Sequence, residues 1–521
     1  MRRSDRLTGS KRPNGSSAAG VTDAANQPRP TVTDLPGAAG LPGMTGQPSV
    51  GDDALVSTAV QTSAAEPEAR NGYRFVDRRA LLRLAGTAAI AAPATGLLAA
   101  CSGSKGSGGV RPVRIGIVTP QSGALSSFSK TDLFVVDYMN SWFTKHGGIA
   151  VGNSTHPVTI SVRDSQSTFA RAAKATTQLI YEDEVDIVLV GATSDTVNPV
   201  ADQCEVAGVP CISTMAPWES WYYPRGGLPT LKTRFSWTYH FFAGLADYYN
   251  AFSAMWGDRV PTNRTVGALW PNDVDGAMFA NQGLPFFQGL QTNWKLVNPN
   301  IPGPNPYLYQ PGTGSFAAVI QAFQKANVQI VTGILNEADF VQFERDSSSA
   351  IFEPKLVTIS KAAMFSSDLT AIGAAASNNL TTELFWSSNN PNRSFVTNLP
   401  AKDLADRYNA QNGQEDAPQQ LGASMALFDV AAQALSAVSS IDDRKSIAAA
   451  LKSLTARTIM GEVKFGARED LPPNVATVAL NGGQWKWHPN TFTWELVQVN
   501  SSGNNALPNQ GQLTPMDYNT N

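Results

Sequence analysis

The amino-acid sequence predicts an α/β fold in which helices flank parallel sheets, arranged as two domains. Short runs rich in Val and Ile alternate with helical segments of about 10–15 residues, which is the pattern of parallel strands joined by helices. The part of the 521-residue chain beyond residue 100 is also too long for a typical single hydrophobic core.

The first half of this body alternates regularly between the two element types. In the first predicted helix, apolar residues recur at helical spacing, namely Leu133, Val136, Met139 and Phe143, and Gly147 then ends the pattern. The predicted strands are 113–118, 158–162, 187–190 and 209–213, and the predicted helices are 131–145, 169–182 and 197–207.

The second half repeats this alternation and then changes character. The predicted strands are 265–269, 330–332 and 356–359, and the predicted helices are 278–290, 316–326, 338–347, 421–438 and 443–454. Short β-rich runs at 462–465, 475–480 and 494–499, joined by Gly, Pro and Asn, predict antiparallel strands added to one domain. Residues 501–521 are polar and are predicted to form a loose tail.

An export signal is predicted at residues 78–100. The pair Arg78-Arg79 precedes an uncharged segment of Leu, Ala, Gly and Thr that ends in small residues before Cys101. The Arg pair fits the twin-arginine type, and Leu98-Ala99-Ala100-Cys101 resembles a lipobox in which Cys101 is lipidated. The segment is interrupted by Gly and Pro and falls short of the about 20 apolar residues of a membrane span.

The regions beside the signal are predicted to be unstructured. Residues 1–77 have the Ala, Gly, Pro and Ser-rich composition of a disordered extension, and translation could instead begin downstream, for example at Met44. Residues 101–111, rich in Gly and Ser, are predicted to tether the body to the lipid on Cys101. The protein is therefore expected on the outer face of the cytoplasmic membrane.

Composition and the absence of certain motifs exclude several classes of function. A net charge of -3 gives no basic surface for nucleic acid. The four histidines are scattered, and neither a Gly-x-Ser-x-Gly nucleophile motif nor a phosphate-binding loop occurs, so neither an enzyme nor a cofactor is predicted. Cys204 and Cys211, in an oxidising compartment, could form a disulfide or remain buried thiols.

Loops at the carboxyl ends of the predicted strands are the candidate binding site, because ligands of open α/β sheets bind there. Ser122, Thr193, Ser194 and Thr196 carry small hydroxyl groups suited to a carboxylate at a helix start. Helix capping by the same residues is the alternative interpretation. The aromatic segment 217–223, which includes Trp218, could stack on a flat ligand or pack between lobes.

Several segments resemble one family in order and spacing. They are Ile-Gly-Ile-Val-Thr-Pro-Gln-Ser-Gly at 115–123, Asp-Ser-Gln-Ser at 164–167, Gly-Val-Pro-Cys-Ile-Ser at 208–213, Gln-Pro-Gly-Thr-Gly-Ser-Phe at 310–316 and Asn-Val-Gln-Ile-Val at 327–331. From residue 113 to about 454 the chain resembles the type I extracytoplasmic solute-binding proteins of ABC importers, of the branched-chain amino acid receptor kind, in lipoprotein form.

The resemblance implies two α/β lobes joined by a three-stranded hinge that closes over a ligand. Lobe one is expected at 112–238 plus 366–456, and lobe two at 239–365 plus 457–500. The implied partners are a small-molecule ligand, ABC permease and ATPase subunits, and the membrane through the lipid anchor. The protein is expected to be a monomer.

Family ligand contacts are implied at six positions: Phe128, Ser194, Met215, Asp275, Asn336 and Lys361. The candidate ligand-binding residues also include Thr193 and Trp218 from the loops described above and Ala216 beside Met215. Ser194 matches the family's carboxylate-binding Ser, whereas Phe128, Asp275 and Asn336 stand where the family usually has Tyr. Lys361 stands where amino-acid receptors place a Glu for the ligand's ammonium group, and a Lys instead suits a second carboxylate. The expected ligand therefore has a carboxylate and an apolar or aromatic body and is not leucine or valine. An amino acid is the alternative.

Two functions use this fold. The first is delivery of a solute to an ABC permease. The second is ligand sensing coupled to a membrane kinase, which uses the same closure.

Overall fold

The structure is a computed structural model that describes residues 110–519, except 233–234, 258, 290–292, 414–415, 504–506 and 508. The predicted extension at 1–77, the signal at 78–100 and the lipid site at Cys101 lie outside the described residues.

Eighteen strands and thirteen helices are assigned among the described residues. The strands are β1 (Val113–Thr119), β2 (Ile149–Val151), β3 (Ser154–His156), β4 (Val158–Asp164), β5 (Ile187–Gly191), β6 (Cys211–Thr214), β7 (Thr238–Phe241), β8 (Thr265–Pro271), β9 (Lys295–Val297), β10 (Leu308–Tyr309), β11 (Ile330–Leu335), β12 (Leu356–Lys361), β13 (Thr381–Leu384), β14 (Thr455–Thr458), β15 (Gly461–Lys464), β16 (Val475–Ala476), β17 (Asn481–His488) and β18 (Thr493–Asn500). The helices are α1 (Ser127–His146), α2 (Phe169–Tyr181), α3 (Ser194–Ala207), α4 (Trp218–Tyr222), α5 (Leu245–Trp256), α6 (Val274–Gln288), α7 (Ala317–Lys325), α8 (Glu337–Ala350), α9 (Ser366–Ile372), α10 (Ala374–Ser377), α11 (Ala401–Gln411), α12 (Gln420–Ser436) and α13 (Arg444–Ser453).

The first sheet is fully parallel, with the strand order β16-β7-β6-β5-β1-β4. Successive residues of β5 enter different cores: Ile187 and Leu189 pack on the side of α1 and α12, whereas Val188 and Val190 pack on the side of α2 and α3. A strand covered on both faces is apolar at every position, which explains why β5 reads as a continuous hydrophobic run. We call this sheet and its helices the first lobe.

The second sheet has the order β10-β8-β11-β12-β13-β17-β18, with β9 also paired to β8. Its strands from β8 to β13 are parallel, and β17 and β18 add an antiparallel hairpin at one edge. Helices α5 and α6 lie on one face and α7 and α8 on the other. We call this sheet and its helices the second lobe. The predicted α/β class with two flanked parallel sheets is confirmed.

Two of the predicted lobe boundaries are displaced. Segment 366–384 was expected in lobe one, but β13 pairs with β12 and β17 of the second sheet. Segment 457–476 was expected in lobe two, but the β14–β15 hairpin packs on α12 and β16 pairs with β7 of the first sheet. The expected strand at 475–480 is the short β16, which is parallel. Both errors come from short strands with weak periodicity beside long loops.

The chain passes between the lobes three times: after β7, after β13 and after β16. These crossings touch one another, because the Phe242 N–H donates to the Ala476 carbonyl at 3.1 Å and the Phe242 and Phe385 rings meet edge to face at 5.0 Å. All of the described residues belong to one compact unit.

Helix α4 of the first lobe braces the first crossing. The Trp218 N–H donates to the Ala243 carbonyl at 3.2 Å, and both oxygens of Glu219 accept from the Leu245 N–H at 3.1 and 3.0 Å. Leu245 begins α5 of the second lobe, so Glu219 satisfies an otherwise open N–H at that helix start. Burial nevertheless raises the pKa of Glu219 to about 8, despite these backbone hydrogen bonds, which lower it.

The second crossing is packed against α12. A Cβ built on Gly422 would lie 2.3 Å from an atom of the Trp386 ring, and that ring is 1% exposed. We expect Gly422→Ala to lower the free energy of unfolding by about 1–3 kcal/mol, as overpacking of a core does. Denaturant unfolding would measure this. Gly314→Ala is the matched control, since nothing lies within 4 Å of its Cβ, and an equal effect of both variants would contradict the expectation.

Glu219 should make stability depend on pH. Its folded pKa of about 8 lies above the unfolded value of 4.5, so its contribution is fully present below about pH 4.5 and is lost as the pH rises to about 8. The side chain introduced by Glu219→Gln does not titrate. As the pH rises through this window, the unfolding free energy of the variant should therefore increase relative to that of the natural protein, by at most about 1.4 kcal/mol per pH unit.

Urea denaturation at several pH values would measure this difference. Exposed Glu182→Gln is the control and should leave the pH profile unchanged. Parallel profiles for Glu219→Gln and the natural protein would show that Glu219 does not titrate in this window.

Candidate functional site

The carboxyl ends of β5 and β8, one from each sheet, lead into helices that meet between the lobes. Helix α3 follows β5 in the first lobe, helix α6 follows β8 in the second, and the two helices are in contact. We call this region the interlobe interface. It lies at the sheet edges where open α/β folds bind ligands.

The first-lobe wall of the interface carries three hydroxyl groups at the start of α3. Thr193, Ser194 and Thr196 are at most 5% exposed, and among the described residues their hydroxyls have no hydrogen-bond partner. The Thr193 side chain does not cap the helix, so capping does not account for it. Free hydroxyls beside the N–H groups of a helix start suit an anionic oxygen.

The second-lobe wall carries an ion cluster. The Lys361 ammonium lies 2.9 Å from Oδ2 of Asp275 and 3.6 Å from Oδ2 of Asp273. Asp273 also caps α6, because its Oδ1 accepts from the Gly276 N–H at 2.7 Å. Lys361 has a φ of 62°, a left-handed conformation that costs a non-glycine residue free energy and is often found at functional sites.

Burial and charge oppose each other in this cluster. Burial lowers the pKa of Lys361, but the negative charges of Asp273, Asp275 and Asp195 together raise it by more. The net shift of the pKa is upward, so the ammonium group stays protonated. Burial raises the pKa of Asp195 to about 6, an effect that Lys361 reduces and the other two aspartates increase. Asp195 belongs to α3, so the cluster joins both lobes.

Two further contacts join the lobes at the rim. The Phe128 ring of α1 meets the Phe365 ring edge to face at 4.9 Å. The neighbouring Ser127 hydroxyl donates to Oδ1 of Asp368 at 2.8 Å. Phe128 is 5% exposed, so it is already covered by the opposite lobe.

The aromatic segment packs within the protein. Trp221 and Tyr222 are fully buried, and Trp218 packs against Tyr222 and Tyr223 with ring centroids 6.3 and 5.9 Å apart. Together with the α4 brace, this favours the packing interpretation over stacking on a ligand.

The backbone after β6 lies beside this segment. Met215 has a φ of 77°, and the Ala216 carbonyl accepts from Nε2 of His240 at 2.8 Å. This carbonyl is therefore engaged in the first lobe.

The structure brings only some of the predicted site residues together. Thr193, Ser194, Asp275 and Lys361 meet at the interface. Ser122 is exposed and its hydroxyl donates to Asp164 at 2.7 Å. Asn336, expected as a ligand contact, instead caps α8, where its Oδ1 accepts from the Asp339 N–H and its Nδ2 donates to the Asp339 carboxylate.

Sequence reasoning missed Asp195, the partner role of Asp273 and the buried Tyr248. Tyr248 interacts electrostatically with Glu383, Asp275 and Glu219, and burial raises its pKa. Only Asp195 had a signal in the sequence, because it is an acidic residue directly after the predicted site residue Ser194. Ion pairs between distant segments leave no such local signal.

Cys204 and Cys211 are free, buried thiols in the structure. Their side chains interact, and burial, followed by this interaction, raises the pKa of Cys204. The sequence left a disulfide and two buried thiols as alternatives, and the structure has the thiols.

Among the described residues, none of the helices is long and apolar enough to span a membrane. In the same part of the chain no group of His, Cys, Asp and Glu side chains is arranged to hold a metal ion.

Solved structures share this fold. LivJ, the branched-chain amino acid transporter substrate-binding protein of Streptococcus pneumoniae bound to isoleucine, is 15% identical, with a TM-score of 0.58 over 74% of this chain and 100% of that chain. A solute-binding protein of an R. palustris ABC transporter, in complex with 4-hydroxybenzoate, is 14% identical, with a TM-score of 0.55 over 75% and 96%.

A third structure is the closed leucine-, isoleucine-, valine-, threonine- and alanine-binding protein of Brucella ovis, which is 14% identical, with a TM-score of 0.57 over 75% of this chain and 95% of that chain. At these identities the similarity shows the fold alone. No curated protein matches the chain.

A family model provides the assignment. The model described as "Periplasmic binding protein" matches residues 112–481, which include the strands of the first sheet and the interlobe interface. Members of this family are extracytoplasmic solute-binding proteins. On this match the chain belongs to the periplasmic binding protein family.

Proposed function

We propose that the protein captures a small solute at the interlobe interface and delivers it to the permease and ATPase subunits of an ABC transporter. One observation carries the proposal: among the described residues, the hydroxyls at the start of α3 in the first lobe and Oδ1 of Asp275 in the second lobe are buried polar atoms without a hydrogen-bond partner. A buried polar group without a partner costs about 1–3 kcal/mol, and a ligand bound here supplies the partners.

The solute is proposed to carry a carboxylate and an apolar or aromatic body, an amino acid being included. The carboxylate binds at the start of α3, where Thr193, Ser194 and Thr196 offer hydroxyls at the positive end of the helix dipole. Lys361 is not free for this role, since Asp275 and Asp273 already pair with it. The 4-hydroxybenzoate complex of the R. palustris protein supports the view that this fold accepts aromatic acids.

The three crossings are proposed to act as the hinge. Closure of the lobes around the solute brings α3 against α6 and seats the rim contacts Phe128–Phe365 and Ser127–Asp368. The permease then distinguishes the closed protein from the open one.

The protein is proposed to be exported by the twin-arginine route and anchored as a lipoprotein on the outer face of the cytoplasmic membrane, as a monomer. Support comes from Arg78-Arg79 and from Cys101 after a lipobox-like sequence. The residues between Cys101 and β1 supply the tether.

A thermal-shift panel on the purified protein tests the solute class. Aromatic carboxylates, dicarboxylates and amino acids are compared at equal concentration. A true ligand at about 100 times its dissociation constant should stabilise by roughly 2.7 kcal/mol. Stabilisation by leucine, isoleucine and valine alone, with aromatic acids and dicarboxylates silent, would contradict the proposed class, and silence of the whole panel would contradict solute capture.

Cell fractionation tests the export proposal with two variants. Cys101→Ala should release the protein from membranes, because the lipid attachment site is gone. Arg78→Lys combined with Arg79→Lys should leave folded precursor in the cytoplasm. Ser102→Ala is the control and should behave as the natural protein. Membrane retention of Cys101→Ala would reject the lipid anchor, and normal export of the double Lys variant would reject the twin-arginine route.

A further inference from the structure

Gln420 carries a buried carboxamide group that the fold leaves unpaired. The residue is 1% exposed, and neither its Nε2 nor its Oε1 has a hydrogen-bond partner among the described residues. The neighbouring Gln419 shows the usual case, because its Nε2 donates to the Glu383 carbonyl and its Oε1 accepts from the Phe385 N–H, both at 3.0 Å. A buried polar group without a partner is costly, and a ligand that pairs with it removes this cost.

The side chain of Gln420 lies on the face of α12 that meets α1. Gln420 and Ser424 are four residues apart, so their side chains share one face of the helix. The Ser424 hydroxyl donates to Oδ1 of Asp132 at 2.6 Å and lies 3.3 Å from the hydroxyl oxygen of Thr131, and both of these residues belong to α1. Helix side chains lean toward the N-terminus, so the Gln420 carboxamide lies beyond this contact, toward the start of α12.

The start of α12 lies at the carboxyl edge of the first sheet. Helix α1 begins at that edge because it follows the parallel strand β1. Helix α12 runs beside α1 in the same direction, since its first turns meet the start of α1 at Thr131 and its far end lies beyond the end of α1. There the Val438 carbonyl accepts from the Gly152 N–H at 3.1 Å.

Leu427 shows how far Gln420 extends past the sheet. A Cβ built on Gly191, the last residue of β5, would lie 3.4 Å from Cδ1 of Leu427. Gln420 precedes Leu427 on α12 by about 10 Å along the helix axis, so it lies past the end of β5. The chain that leaves β5 continues to Thr193 and Ser194 at the same edge. Gln420 therefore belongs to the first-lobe wall of the interlobe interface, with the hydroxyls at the start of α3.

The chemistry of the group decides what it can recognise. A carboxamide has N–H donors and a carbonyl acceptor and carries no charge. A carboxylate on a ligand would satisfy only the donors, and an ammonium group only the acceptor. A hydroxyl or an amide satisfies both, because each of these groups donates and accepts.

We propose that Gln420 determines specificity by binding an uncharged hydrogen-bonding group, a hydroxyl or an amide, on the body of the solute. The inference rests on the proposed function, in which the start of α3 binds the carboxylate of the same solute. A site built to hydrogen-bond a polar group rejects an apolar analogue of the same shape, because its own polar atoms are then left unpaired. Gln420 thereby selects against solutes whose body is wholly apolar.

Isothermal titration calorimetry with isosteric pairs tests the proposal. Each pair shares a carboxylate and differs in one polar group. Two pairs replace a hydroxyl by a methyl group, namely 4-hydroxybenzoate with 4-methylbenzoate and L-threonine with L-valine. Two pairs replace an amide by an isopropyl group, namely succinamate with 4-methylpentanoate and L-asparagine with L-leucine. For the body that fits the site, the polar member should bind at least about ten-fold more tightly, which corresponds to about 1.4 kcal/mol.

Variants at position 420 should remove this preference. Gln420→Met has nearly the same shape and no amide, so the polar and apolar members should bind almost equally. Gln420→Leu carries the same expectation and decides the matter if Gln420→Met does not fold. Gln433→Met is the matched control, because Gln433 is a buried residue of the same helix whose amide is paired with the carbonyls of Asp429 and Arg457. It should retain the full preference even though it loses hydrogen bonds and stability.

The outcomes separate this inference from the proposed function. Equal or tighter binding of the apolar members overturns the role of Gln420 and leaves solute capture standing. A preference that survives in Gln420→Met and Gln420→Leu also overturns it, because the selection then lies elsewhere. Silence of every pair contradicts this inference, and solute capture is then decided by the thermal-shift panel.

Discussion

A buried ammonium group organises the interlobe interface. Lys361 lies at the end of β12 in a left-handed conformation, and such a charge is stable in the interior only with oxygen partners close by. Asp275 and Asp273 provide them from the first turn of α6 and the residue before it. The direction of α6, and with it the surface that meets α3, is therefore tied to the position of one side chain.

The two lobes present different chemical groups around this cluster. The first lobe presents neutral hydroxyls at a helix start, while the second presents carboxylates paired with Lys361. Asp195 is the exception, because it brings an acid from the first lobe toward the acids of the second. The two walls of the interface therefore differ in charge.

The sequence predicted the architecture better than the site. Strands such as β5 and β11, buried on both faces, are continuous apolar runs and are recognisable locally. β13 reads Thr-Thr-Glu-Leu, and its buried Glu383 accepts from the Ser360 hydroxyl of β12, a residue distant in the sequence. Its place in the second sheet is therefore not recognisable from its own residues. Likewise Ser194 and Asp275 were predicted, but the pairing of Lys361 and the approach of Asp195 follow from how strand ends meet in space. Asn336 and Asp273 show the reverse case, in which a local capping rule is sufficient.

The three crossings also determine when the protein can fold during its synthesis. The first sheet is incomplete without β16 at 475–476, and the second lacks its edge hairpin until β18 ends at residue 500. Neither lobe is therefore continuous in the chain, and each needs partners made hundreds of residues apart. Long-range pairing of this kind folds slowly. All strands of the first lobe are present only once residue 476 has been synthesised, and all strands of the second only once residue 500 has been.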